Sequence, residues 1–192
     1  MTRMVLLGPP GAGKGTQAAR ICERLSIPAI STGDIFRANV SRGTELGERA
    51  RQYMDRGEYV PDSVTNAMVA DRLTEADAAQ GFLLDGYPRT EAQVHELDAM
   101  LADSGLALDV VLEITADAEV VVDRLLKRAT EQNRADDTEP VIRRRLEVYA
   151  EATAPLASLY EDRGLLVRVD GTGDVDEVTE RIMTALASRT TA

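Results

Sequence analysis

Apolar residues along this 192-residue chain fall into two alternating patterns. Short, nearly continuous runs occur at Met4 to Leu7, Ile27 to Ser31, Gly81 to Leu84, Asp109 to Ile114 and Leu165 to Asp170. Runs of that length between turn residues read as buried strands. Between them the spacing turns helical. Helices are expected over Gln17 to Leu25, over Asp34 to Arg42 with Ile35, Phe36 and Val40 inward, and over Glu45 to Arg56, closed by Gly57. Another starts at Pro61, a residue suited to a first turn, and runs to about Leu73. Thr90 or Glu91 opens one to about Ser104, and Asp117 to Arg128 carries valines and leucines on one face. Ala129 to Thr138 is polar and aperiodic and reads as a loop. Glu139 to about Arg163 is a long helical stretch with a bend expected near Pro155, and a last helix starts at about Val175. Strands alternating with helices predict an α/β fold, a parallel sheet of five strands covered on both faces.

Ligands of such folds bind beyond the carboxyl ends of the strands. The segments that follow the strands here are Gly8 to Thr16, Thr32-Gly33-Asp34, Asp85 to Arg89 and Gly171 to Gly173, all polar or glycine-rich. The first is the most specific. Met4 to Leu7 runs into Gly8-Pro9-Pro10-Gly11-Ala12-Gly13-Lys14-Gly15-Thr16 and then into a helix. A strand, a glycine-rich turn and a helix in that order make a phosphate cradle: backbone N–H groups point inward, the helix N-terminus adds positive potential, and the lysine meets the β and γ phosphates. Gly15 stands where Ser or Thr commonly follows the lysine and ligates magnesium. Thr16 is therefore expected to touch a phosphate, with magnesium left to water held by a carboxylate elsewhere.

The composition narrows the partners. The net charge of -11 argues against a general nucleic-acid binder, so an anionic ligand needs a local basic cleft. No apolar run approaches membrane-span length, and Thr2 and Arg3 do not begin a signal peptide, so a cytoplasmic protein without membrane contact is expected. The single cysteine, Cys22, forbids an internal disulfide and, with the single histidine His95, argues against a structural zinc site. Lys14 and Lys127 are the only lysines among many arginines. At 44 % hydrophobic residues the chain can bury the core of one domain.

In combination, Gly8 to Gln17, Ser31-Thr32-Gly33-Asp34, Asp85-Gly86-Tyr87-Pro88-Arg89-Thr90, and Arg134-Ala135-Asp136-Asp137 followed by Arg145 resemble the adenylate kinases over nearly the whole chain. The resemblance implies the reaction MgATP + AMP ⇌ MgADP + ADP, a monomer, and a P-loop core with two mobile parts. These are a monophosphate-binding insert at 31–60 and a short lid at 129–138, without the small β subdomain and cysteine cluster of long-lid relatives. On the ATP side it implies Gly11, Ala12, Gly13, Lys14, Gly15 and Thr16 around the phosphates, Arg128 over ATP, Arg124 supporting transfer from one helical turn away, and Gly173 near the adenine. On the AMP side it implies Thr32, Arg37, Val60, Gly86, Arg89 and Gln93, with Glu58, Tyr59, Tyr87 and Pro88 flanking them. Arg134 and Arg145 correspond to arginines that clamp the phosphates on closure, Asp136 and Asp137 to their supports, and Asp85 to the holder of magnesium-bound water. Phosphoryl transfer asks for this kind of positioning and charge neutralisation, and for exclusion of water.

Plainer readings stand beside several of these assignments. Thr32 also suits a helix cap, Asp85 a turn, and Met54 the core. Cys22 reads as packing and His95 as a solvent-facing residue. Of Arg143, Arg144 and Arg145, which point in different directions on a helix, two are expected in solvent and Arg145 at the site. Thr32 and Gln93 favour adenine; the alternative is a UMP/CMP kinase on the same fold.

Overall fold

The computed structural model describes residues 2–131 and 138–190. Its sheet contains β1 (Thr2–Leu7), β2 (Ala29–Ser31), β3 (Gly81–Asp85), β4 (Val110–Thr115) and β5 (Leu166–Asp170), in the order β2-β3-β1-β4-β5 with every neighbouring pair parallel. The helices are α1 (Lys14–Leu25), α2 (Thr32–Arg42), α3 (Glu45–Met54), α4 (Asp62–Leu73), α5 (Glu91–Asp103), α6 (Ala118–Glu131), α7 (Glu139–Val148), α8 (Pro155–Asp162) and α9 (Val175–Thr190). Among the described residues no helix is long and apolar enough to cross a membrane.

Alternation along the strands divides the core. Met4 and Leu6 face one layer with Ile21, Leu112, Val178 and Ile182, contributed by α1, β4 and α9. Val5 and Leu7 face the opposite layer with Val69, Val94, Leu97 and Tyr160, contributed by α4, α5 and α8. A strand covered on both faces has no polar side to show, which is why its sequence is a continuous apolar run. Phe36, Ala50 and Val60 form a smaller separate cluster with Leu46, Tyr53 and Met54, so α2 and α3 carry a core of their own beside the sheet.

The elements follow the predicted order, with local differences. The second strand begins at Ala29 rather than Ile27, because the Ile27 N–H still closes the end of α1 on Cys22 O, at 3.1 Å, and Pro28 has no N–H for a ladder. Ser31, not Thr32, caps α2: its side chain accepts from Asp34 N at 3.3 Å. A 3₁₀ turn at Ala76–Gln80 precedes β3, where no element was expected. α6 continues to Glu131, three residues into the expected loop 129–138, and 132–137 lie outside the described residues. The bend expected near Pro155 is a π turn at Tyr149–Thr153, with Ala154 N bonded to Tyr149 O at 2.8 Å. Pro155 then starts α8 as a first-turn proline, since it cannot supply the N–H that would continue the preceding helix. Cys22 is buried in the α1 layer, and burial pushes its thiol up to about 11.

The register brings the loops together. Leu6 pairs with Asp85 and Ser31 with Asp85, so Gly8, Thr32 and Gly86 emerge from neighbouring strand ends almost side by side. Gly171 leaves β5 and donates its N–H to Thr115 O at 2.8 Å, closing the far end.

Candidate active site

These loops enclose a cleft of about 730 Å³. One end is the glycine loop. Gly13 precedes α1 at φ +92°, a left-handed conformation in which only glycine is unstrained, and the helix start has no side-chain cap. α2, α3 and α5, in contrast, are capped by Ser31, Thr44 and Thr90. The first turn of α1 thus keeps its N–H groups for an anion. Lys14 Nζ donates to Gly8 O at 2.7 Å and to Pro9 O at 3.0 Å. Gln17 ties this helix to α9 by donating Nε2–H to Val175 O at 3.0 Å, while its Oε1 lies 2.8 Å from Thr179 Oγ1.

The other end is built on Gly86, at φ +81°. A side chain there would meet Thr32 Oγ1 at 2.8 Å and Arg89 Nη2 at 2.9 Å. Both residues instead bond its carbonyl, Thr32 Oγ1 at 2.9 Å and Arg89 Nε at 2.7 Å. Gln93 is 1 % exposed; its Oε1 accepts from Arg89 N at 2.7 Å and its Nε2 donates to Asp62 Oδ1 at 2.7 Å. Asp62 Oδ2 also accepts from Thr90 Oγ1 at 3.1 Å. Arg37 is paired with Asp34 at the mouth. Arg124, Lys127, Arg128 and Arg145 supply positive charge from α6 and α7, and Arg124 Nη2 donates to Gly171 O at 3.3 Å.

Comparison with known proteins points to one family. The adenylate kinase family model matches residues 6–165. An adenylate kinase of Kocuria rhizophila is 67 % identical over 186 residues, 97 % of this chain and 99 % of that protein. One of Thermobifida fusca is 64 % identical over 187 residues, again 97 % and 99 % of the two chains. The chain belongs to the adenylate kinase family.

As an adenylate kinase it is an ATP:AMP phosphotransferase, and the cleft gathers most of the residues expected for that work. Gly11, Ala12, Gly13, Lys14, Gly15, Thr16, Arg124, Arg128 and Gly173 line it together with Thr32, Arg37, Met54, Glu58, Tyr59, Val60, Gly86, Pro88, Arg89 and Gln93, and with Asp85 and Arg145. Tyr87 is the exception. It is 1 % exposed in the main core, and its hydroxyl donates to Asn66 Oδ1 at 2.9 Å, so the structure does not bring its side chain to the cleft. Arg134, Asp136 and Asp137 lie outside the described residues. Arg143 and Arg144 pair with Glu139 and Glu147 at the surface, as expected of two of the three adjacent arginines. His95 is exposed and lies beside Glu91.

Three residues at or beside the cleft were missed. Lys127 carries a signal, since it adjoins Arg128 on one helix. Asp62 reads in sequence only as an acidic residue in a first turn, and Thr153 only as a residue two positions before Pro155; their partners lie far away in the chain.

Burial of the Lys14 ammonium, helped by Arg89 and Arg128 and opposed by Asp85, brings its pKa down to about 8. An unfolded lysine titrates near 10.5, so between these values the unfolded chain binds more protons and the folding penalty of burying this group shrinks as pH rises. A polyphosphate bound beside Lys14 would reverse the shift by favouring the ammonium. ATP affinity is therefore expected to be level below about 8 and to fall at higher pH, with binding near pH 8.5 drawing in roughly half a proton or more per ATP. Calorimetry in buffers of different ionisation enthalpy measures this uptake; none at that pH would show that Lys14 keeps its charge in the empty cleft.

Proposed function

We propose that the cleft carries out MgATP + AMP ⇌ MgADP + ADP with Lys14 and the first turn of α1 on the ATP phosphates and Arg89 on the phosphoryl group in transit. The supporting observation is that the uncapped glycine-loop helix and the Arg89–Gly86–Thr32 cluster face one cleft from adjoining strand ends. That arrangement suits two nucleotides meeting phosphate to phosphate. Arg124, Arg128 and Arg145 complete the neutralisation from α6 and α7, with Arg134, Asp136 and Asp137 assigned to the closing of the site. Gly173 takes the adenine side of ATP.

On the AMP side, Thr32 and Gln93 read the base. Each Gln93 amide atom is committed once to the protein, which holds the plane of the amide and leaves one further donor and acceptor for adenine. Arg37, Glu58, Tyr59, Val60, Pro88 and the backbone at Tyr87 surround the monophosphate. The 31–60 insert acts as one unit through its own apolar cluster, and 129–138 acts as a short lid.

The donor set fits magnesium. A small, hard cation keeps several waters and prefers carboxylate and phosphate oxygen, and Asp85 offers a carboxylate at the cleft near Lys14. With ATP bound, the ion would offset charge on its phosphates; Asp85 would hold the ion's water. The protein acts in this reading as a cytoplasmic monomer in purine nucleotide balance.

The test is ADP formation from MgATP with AMP, UMP, CMP and GMP offered in turn. Fast turnover with AMP alone is expected. Preference for UMP or CMP would overturn the base assignment to Thr32 and Gln93.

A further inference from the structure

Besides Gln93 Oε1, which accepts its backbone N–H, three groups hold Arg89, and two of them come from distant parts of the chain. Its own turn supplies the Gly86 carbonyl. The loop between α3 and α4 supplies the Tyr59 ring, whose centroid is 4.8 Å from the guanidinium carbon. The π turn between α7 and α8 supplies Thr153, which donates Oγ1–H to Arg89 O at 2.8 Å. Tyr59 and Thr153 also touch each other, with their hydroxyl oxygens 2.7 Å apart.

Counting protons orders the network. A threonine hydroxyl has a single proton. Thr153 gives it to a carbonyl, which can only accept, so the Tyr59 hydroxyl donates to Thr153. The result is a directed chain from Tyr59 through Thr153 to Arg89, a geometry in which each bond strengthens the next. Local packing does not require it. A threonine within helical turns usually bonds a carbonyl one turn back, whereas this one reaches 64 residues along the chain and is only 5 % exposed.

We propose that Tyr59 and Thr153 are positioning residues for Arg89. The hydroxyl relay holds the Tyr59 ring as a shelf beneath the guanidinium, where cation–π attraction in a sheltered site limits its swing. It also fastens the α3–α4 loop and the end of α7, whose Arg145 lines the same cleft, to the arginine on which transfer depends. Neither residue need touch the reacting atoms. This inference rests on the role given to Arg89 above.

The experiment is steady-state kinetics of the full chain with MgATP and AMP for Tyr59→Phe, Thr153→Ala, their double variant, Thr153→Ser and Arg89→Ala. Tyr59→Phe and Thr153→Ala are each expected to lower kcat by about fivefold, with KM for ATP unchanged, and the double variant to be no worse than the poorer single, since coupled neighbours are not additive. Thr153→Ser keeps the hydroxyl and is expected to stay within about twofold of the parent. Single losses that multiply, or a serine variant as poor as alanine, would overturn the relay. If Thr153→Ala does not fold, Tyr59→Phe decides alone, because it removes one oxygen and keeps the ring; an undiminished kcat refutes the proposal. A large effect of Arg89→Ala with silent relay variants sinks the relay only, whereas a small effect of Arg89→Ala sinks the role of Arg89 itself.

Discussion

Lys14→Met is expected to reduce turnover by about 10³-fold while the protein stays folded. The ammonium is the one full charge placed within the glycine loop, and it is poised there by Gly8 O and Pro9 O before any phosphate arrives. Preorganised charge of this kind acts on the transition state without further rearrangement. Methionine keeps the length of the side chain and loses the charge. It also removes an ammonium whose burial is unfavourable, as its lowered pKa shows, so the melting temperature is expected to stay within about 5 °C of the parent. Activity and thermal melting on the same preparation test both halves. Turnover within tenfold of the parent in a folded variant would remove Lys14 from the transfer step.

Arg89→Ala has the second large expected effect, again about 10³-fold in kcat, by analogy with arginines that stabilise transferring phosphoryl groups. One of its five N–H donors is spent on Gly86 O, and the ring of Tyr59 supports its plane, so the remaining fork is offered in a fixed orientation. Arg89→Lys is expected to recover little, because an ammonium has neither the planar fork nor the same stacking surface. A pre-steady-state measurement of the transfer step separates this loss from product release. A loss below tenfold would reduce Arg89 to a binding role.

Much of the site was legible in the chain because its chemistry is local. A phosphate loop needs a strand, glycines, a lysine and a helix start in immediate succession, and Met4 to Thr16 contains all of them. Asp85 to Arg89 likewise stands directly after an apolar run, where the fold puts ligands. Residues whose work depends on distant partners were harder. Ser31 took the cap that Thr32 also suited, and that freed the Thr32 hydroxyl for Gly86, 54 residues away. Tyr87 sits within a cleft motif yet turns into the core, because its neighbour Gly86 carries the turn and Asn66 waits for its hydroxyl. Asp62 and Thr153 carried no distinguishing local pattern.

The sequence by itself determined the order of strands and helices, the parallel sheet, the phosphate loop and the family. The first three follow from hydrophobic period and from short runs of residues whose backbone needs are local, and the family from the resemblance of its combined motifs to known kinases. Only the tertiary structure decided which polar side chains meet. Strand register aligned Gly8, Thr32 and Gly86, the π turn before Pro155 brought Thr153 to Arg89, and Asp62 captured Gln93. A hydrogen bond between residues far apart in the chain leaves no period to read; it exists because packing the two apolar layers carries its partners to within 3 Å of each other.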